Sequence, residues 1–265
     1  EDIKMKTILN NWKGYVKEMS QRGFDYEEEI ISILNSVGMA GNIKSGAGAS
    51  ASAADADINI NGEIYKIEVK LNNKAQMGGT SIRYYPMADD VNQKFSIVST
   101  AVDEDTVELI EQALGDKVDD LNNLLSFLGA KHFPLKVEVD RWLEARQAGL
   151  LRPLNVKIKR TSKFIVDHYS KKGIDYIQIG GSGLFYLKNN PANLPIPQLE
   201  GEINVEVRPG RSGSKTRKDG VKIAAAGIRV QARLQFDGKS PYSLDNPEQI
   251  RQMIIQAANQ TIEPA

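Results

Sequence analysis

The sequence predicts an α/β protein with a helical insertion and a β-rich C-terminal region. Three observations carry that expectation. A strand–turn–strand pattern spans 55–70 behind a helical one; apolar residues recur at helical spacing among many acids over 103–150; and Ile203, Val205 and Val207 alternate cleanly before a second strand pattern from Ala225 to Phe236. At 265 residues the chain has length for one large domain or two small ones with a sizeable core.

Lys plus Arg and Asp plus Glu both total 34, so net charge identifies no partner. Its distribution says more: residues 1–150 hold 16 basic and 24 acidic side chains, and residues 151–235 hold 16 basic and 6 acidic. An acidic first half beside a basic second half suits a metal-binding region attached to a polyanion-binding surface, and equally two halves that dock on each other. The absence of cysteine excludes disulfides and thiolate metal sites and makes an intracellular, reducing compartment the expectation. His132 and His168 are too far apart in sequence to support a zinc site or a Ser-His-Asp triad, and are expected to be structural. No apolar run reaches membrane-spanning length, there is no secretory signal, and no membrane partner is expected. The chain starts Glu1-Asp2-Ile3 without an initiator methionine and reads as trimmed or as part of something longer.

Residues 3–20 carry Ile3, Ile8, Leu9, Trp12, Tyr15 and Val16 on one side of an amphipathic helix. Gly23 is expected to break it, and a second helix to run from Asp25 to about Val37 with acids in its first turn, where the helix dipole favours them. Ile30, Ile33, Leu34 and Val37 define its buried face. Glu27, three and seven residues before Ile30 and Leu34, lies nearest to that face and within reach of a metal. The plainer reading is that Glu27, Glu28 and Glu29 only cap and solubilise the helix. The small residues from Gly46 to Ala54 then read as a loop that leaves room for a bulky ligand, without the lysine and spacing of a nucleotide-binding loop.

The hairpin at 55–70 turns on Asn61-Gly62, a pair that tolerates positive φ. In its second arm Ile64, Lys66, Glu68 and Lys70 share a face, because strand side chains alternate. Asp57 is expected across the ladder from Glu68, so that two carboxylates and an ammonium converge. Such a trio suits Mg²⁺, which takes one or two carboxylates plus water and substrate phosphate, with the lysine steadying the attacking water or the phosphoryl charge. A solvated face of alternating Glu and Lys is the competing interpretation.

Glu27 on a helix, Asp57 opening a strand and Glu68-Val69-Lys70 ending the next resemble the PD-(D/E)xK, or restriction-endonuclease-like, nuclease superfamily. That resemblance covers about residues 23–71 and implies an αβββαβ core. It further implies that Asp57 and Glu68 bind Mg²⁺, with Mn²⁺ able to substitute, that the Val69 carbonyl is a further ligand, that Lys70 assists the attacking water, and that Glu27 joins the metal's shell. Ala56 stands where the name's proline would be, which weakens the motif without contradicting the chemistry. Gln76, shortly after the lysine, resembles a glutamine that lines the site in several branches of the superfamily.

Beyond the hairpin, Ser81–Tyr85 and Phe95–Val98 read as short strands. The insertion over 101–150 is acidic, carries Val107, Ile110, Leu114, Leu121 and Leu125 at helical spacing, and suits a lid, spacer or dimer element, which leaves a homodimer open. A helical pattern from Ser162 to Tyr169, then strands at Tyr176–Ile179 and Leu184–Leu187, would supply the core's second αβ pair. Asn190–Pro197 is a linker or a packed strap. The stretch from Arg208 to Gly220 reads as a basic, glycine-bearing loop in which Arg208, Arg211, Lys215, Arg217 and Lys218 contact DNA phosphates, or as a mobile solvated loop. Pro247 starts a C-terminal helix.

The expected organisation is N-terminal helices and catalytic core over 1–100, helical insertion over 101–150, remainder of the core over 151–190, and a β-rich basic DNA-contacting region with a C-terminal helix over 191–265. The function this implies is a Mg²⁺-dependent endonuclease on double-stranded DNA, of restriction type. The alternatives are an exonuclease or structure-specific nuclease of phage or repair type, an inactive DNA-binding protein, and a structural protein with an incidental Glu-x-Lys hairpin.

Overall fold

The computed structural model describes residues 21–41, 54–87, 95–97, 104–235 and 238–262. The expected helix over 3–20 and nearly all of the small-residue loop over 46–54 lie outside them. In chain order the elements are α1 (residues 21–36), β1 (Ala56–Ile60), β2 (Glu63–Lys70), β3 (Gln76–Tyr84), β4 (Phe95–Ile97), α2 (Glu104–Gly115), α3 (Val118–Leu128), β5 (Leu135–Glu138) and α4 (Val139–Gln147). There follow β6 (Val156–Thr161), α5 (Lys163–Lys171), β7 (Tyr176–Ile179), β8 (Gly183–Tyr186), β9 (Glu202–Thr216), β10 (Lys222–Gln235) and α6 (Pro247–Ile262).

The chain divides into two discontinuous units: Glu1–Ala75 with Tyr169–Glu200 and Phe236–Ala265, and Gln76–His168 with Gly201–Gln235. The chain crosses between them several times, so contiguous boundaries at 100, 150 and 190 do not describe it. The stretch 191–265 is itself divided, with β9 and β10 in the second unit and α6 in the first.

The first unit is built on a four-stranded sheet of order β1-β2-β7-β8, in which β2 and β7 run parallel and the other pairs antiparallel. Asn61 and Gly62 take φ of 55° and 90°, the left-handed geometry of a two-residue hairpin turn, and Ile60 therefore pairs with Glu63. Ala56, Ile58, Ile67 and Val69 form the core face, packed with Tyr26, Ile30 and Leu34 of α1 and Ile250 and Met253 of α6. Gly23 does not break α1, which is helical from residue 21. The helix ends instead at Gly38, φ 74°, where the Met39 N–H reaches back to the Leu34 carbonyl. Residues 190–199 are a packed strap: Leu194, Ile196 and Leu199 are buried, and the Tyr186 N–H is bonded to the Pro197 carbonyl. Two strands precede the second helix in this sheet and two follow it. β3, which the αβββαβ expectation needs as a third strand, joins the other sheet.

The second unit carries an antiparallel sheet of order β4-β3-β10-β9-β6, with β5 pairing the far end of β10. The insertion is therefore not wholly helical, because Leu135–Glu138 is a strand of this sheet. Ile203, Val205 and Val207 of β9 and Ile228, Val230 and Leu234 of β10 are buried on one face, while α2 contacts β6 and α4 contacts β5 and β10. The stretch expected as a basic loop is mostly strand. β9 runs to Thr216, and only a tight turn, with the Arg217 N–H bonded to the Val221 carbonyl, joins it to β10.

Candidate active site

Glu68 and Lys70 sit two residues apart near the end of β2, hence on one face of the first unit's sheet. The turn pairing Ile60 with Glu63 places Asp57 opposite Lys66, and Asp55, just before β1 with its N–H bonded to the Ile67 carbonyl, comes within reach of the Glu68 charge. The Lys70 ammonium is bonded to Glu68 Oε1 and lies 3.6 Å from Asp55 Oδ2, while the Val69 N–H donates to the same Asp55 oxygen at 2.9 Å. Asp55 thus stands where Asp57 was expected. Because a hairpin register moves residue by residue, an acid two positions along the strand keeps its face but changes its partner.

The cluster is enclosed. Asp55, Glu68 and Lys70 side chains are 13%, 9% and 15% exposed. From α5, the fully buried Tyr169 hydroxyl donates to the Glu68 carboxylate, which limits that carboxylate's freedom. From α1, Glu27 adds a further carboxyl within electrostatic reach of Asp55, Lys70 and Glu68, whereas Glu28 and Glu29 are exposed. The turn of α1 that bears Glu27 is anchored from behind. The buried Gln178 of β7 donates to the Tyr26 hydroxyl at 3.0 Å and to Ser243 Oγ at 2.8 Å, and accepts the Leu244 N–H at 3.0 Å.

Burying more carboxylates than ammonium groups perturbs their protonation. Burial pushes the Glu27 carboxyl up to about 7, with Asp55 and Glu68 adding to the rise and Lys70 opposing it. Burial and then the Glu68 charge raise Asp55, against the pull of Lys70 and the Val69 N–H. For Lys70, burial works against the charge, but Glu68, Asp55 and Glu27 outweigh it and the ammonium is held above its ordinary value. The Tyr169 phenol is raised well above its usual range by burial and by Glu68. The site therefore holds a firmly cationic lysine between anionic oxygens, and beside them a carboxyl that exchanges its proton near neutrality.

Of the residues singled out from sequence, Glu27, Glu68, Val69 and Lys70 come together. Asp57 does not join them; it is half-buried on β1, its carboxyl raised by burial and lowered by Lys66, with its Cβ close against the backbone of Gly41. Gln76 opens β3, opposite Arg233 of β10. Arg208, Arg211, Lys215, Arg217 and Lys218 are spread along a strand and its turn, roughly 30 Å from first to last at about 3.3 Å per residue, and do not form one patch. Arg208 donates to Gln231 at 2.7 Å, the Arg211 guanidinium is lowered by burial and by Arg146, and Arg217 is bonded to Asp219. Two contributors were missed. Asp55 was recoverable by counting pairs outward from the turn, whereas Tyr169 carried no local signal.

Among the described residues no three Asp, Glu, His or Cys side chains form a ready-made metal cage. A hard cation that keeps its waters needs only one or two carboxylates, and Asp55 and Glu68 meet that requirement with oxygen donors alone. The Val69 carbonyl turns to the same side of β2 as its N–H, toward Asp55, as strand geometry dictates. His132 lies against Tyr85, with ring centroids 5.0 Å apart and the ring planes tilted by 31°, and His168 is buried in α5. No described helix is long and apolar enough to cross a membrane. No family model, curated protein or solved structure matches the chain.

Proposed function

We propose that the chain is a Mg²⁺-dependent DNA endonuclease of the PD-(D/E)xK kind, with Asp55 in the aspartate role. The observation that carries this is the buried Asp55–Lys70–Glu68 cluster with Glu27 beside it: excess anionic oxygen in an enclosed place, around a lysine kept charged. Asp55, Glu68 and the Val69 carbonyl would hold the cation, with Glu27 in or near its shell, and Mn²⁺ would be accepted by the same donors. When bound, the ion supplies an acidified water and charge stabilisation on a phosphodiester. Lys70 directs its protons at the attacking water or at a phosphoryl oxygen, where an anion-bound ammonium is already positioned. Tyr169 keeps Glu68 oriented, and Glu27 takes up a proton near neutral pH.

Supercoiled plasmid tests the proposal. The chain should nick or linearise it with Mg²⁺ and leave it intact with EDTA. Asp55→Asn and Lys70→Met should each slow cleavage at least about a hundredfold, and Asp57→Asn by less than about threefold. Full activity in Asp55→Asn would overturn the assignment. Degradation of linear but not circular DNA would replace the endonuclease with an exonuclease.

A further inference from the structure

The second unit's sheet has two faces, and the site described above uses neither. Register places Lys157 and Lys159 of β6, Arg208 of β9, Arg229 and Arg233 of β10 and Arg83 of β3 on the face opposite the apolar one. Among the described residues the acids on that face are Glu206, which pairs with Lys157 and Arg233, Glu202, which pairs with Lys159, and Glu138 of β5, opposite Ile223 at the far end of β10 and next to Lys136 on the same face. Arg83, Arg208 and Arg229 have no carboxylate partner among the described residues. Arg208 and Arg229 are direct cross-strand partners, an arrangement of like charges that repels in the bare sheet and is relieved by an anion lying over the pair.

The relief of this face is low. Ser81 stands beside Arg229 across the β3–β10 ladder, and Gly79 stands beside Gln231. Gly210 lies under the Arg229 side chain: a Cβ there would come within 2.8 Å of Arg229 Cδ, so the guanidinium stem is laid along the sheet rather than standing off it. Lys157 and Lys159 side chains are 70% and 75% exposed at the β6 edge, and Arg83 and Arg208 are exposed. Strand spacing and pleat set these cations at intervals of roughly 5 to 13 Å across the face.

We propose that this face docks the sugar-phosphate backbone of double-stranded DNA. Guanidinium and ammonium groups spaced across strands, with glycine and serine between them, meet phosphates without reading bases, which is the positioning role that Arg and Lys take toward nucleic acid. The choice of DNA over another polyanion rests on the nuclease proposal; the phosphate-binding face does not.

Fluorescence anisotropy of the full chain on a labelled mixed-sequence duplex, in EDTA, tests this. Replacing Arg83, Arg208 and Arg229 together by Gln should weaken binding at least about tenfold and reduce the slope of log affinity against log salt by about 2 to 3. The same three changed to Lys should stay within about threefold of the parent and keep its slope. A folded Gln variant with unchanged affinity and slope overturns the proposal. Where the Gln variant does not fold, lysine acetylation of the unmutated chain decides: duplex should protect Lys157 and Lys159 but not Lys131, and equal reactivity with and without DNA overturns it. Because EDTA removes cleavage from the readout, a chain that binds through this face yet never cuts plasmid refutes the nuclease alone. One that cuts plasmid with this face unprotected refutes the docking surface alone.

Discussion

Lys70→Met probes the central electrostatic claim without any substrate. Lys70 is the cation between Asp55 and Glu68, whose side chains are 13% and 9% exposed, and methionine keeps its bulk while deleting the charge. Removing one partner of a buried charge cluster costs about 3–5 kcal/mol, because the remaining ions are left uncompensated. For a unit of this size that corresponds to a midpoint lowered by roughly 10 °C in metal-free buffer at about pH 7.5. The cost should shrink on acidification. Asp55 and Glu27 already have raised pKa values, and losing the lysine raises them further, so protonation removes the exposed repulsion. Calorimetry across the pH range in EDTA reads both quantities. A Lys70→Met chain within about 1 kcal/mol of the parent near neutrality, or a cost that does not change with pH, would mean that the cluster is solvated and that its geometry is not an enclosed charge site.

Glu27 makes a signed prediction of its own. Its carboxyl rises from 4.5 to about 7 in the folded chain, so its contribution to stability is complete below about pH 4.5 and is lost as the pH climbs through 7. Metal-free protein should lose on the order of 1–3 kcal/mol over that window after allowance for partial solvation, and Glu27→Gln should flatten the profile when urea midpoints are followed against pH. Tyr169→Phe removes the hydroxyl that Glu68 accepts from. It should cost about 1–2 kcal/mol in urea denaturation and, if Glu68 works as proposed, slow plasmid cleavage at least about tenfold with little change in duplex affinity. Gly180→Ala puts a Cβ 2.2 Å from the Leu71 carbonyl oxygen and 3.2 Å from the Tyr26 ring, so β2 and β7 must part. A loss of at least about 2 kcal/mol is expected by thermal melting, and a neutral outcome would mean that this close approach of the two strands is wrong.

Much of the local structure was legible before any coordinates. Asn61-Gly62 announces its turn because few other residues accept positive φ at both positions, and alternation alone puts Glu68 and Lys70 on one face. Ile30 and Leu34 mark the buried side of α1 by their spacing, and Pro247 marks the start of α6. These signals act over a few residues, through backbone sterics and side-chain direction, and sequence carries them directly.

The assembly of the site belonged to tertiary packing. Asp55 and Asp57 are equivalent as residue types at the mouth of a strand, and only the ladder register separates the one beside Glu68 from the one beside Lys66. Tyr169 meets Glu68 although about a hundred residues separate them in the chain, and the Tyr26 hydroxyl is held by Gln178 of β7. β3 leaves the hairpin's sheet for β10, where Ile82 and Ile228 pair and are both buried. Arg208–Thr216, polar enough to read as a loop, is strand because it continues Glu202–Val207, which β10 and β6 pair on both sides, and β10 goes on pairing it out to Thr216. Which edge a strand joins, and which hydroxyl meets which carboxylate, is decided by burial and hydrogen-bond satisfaction summed over distant segments, a quantity that no short window of residues contains.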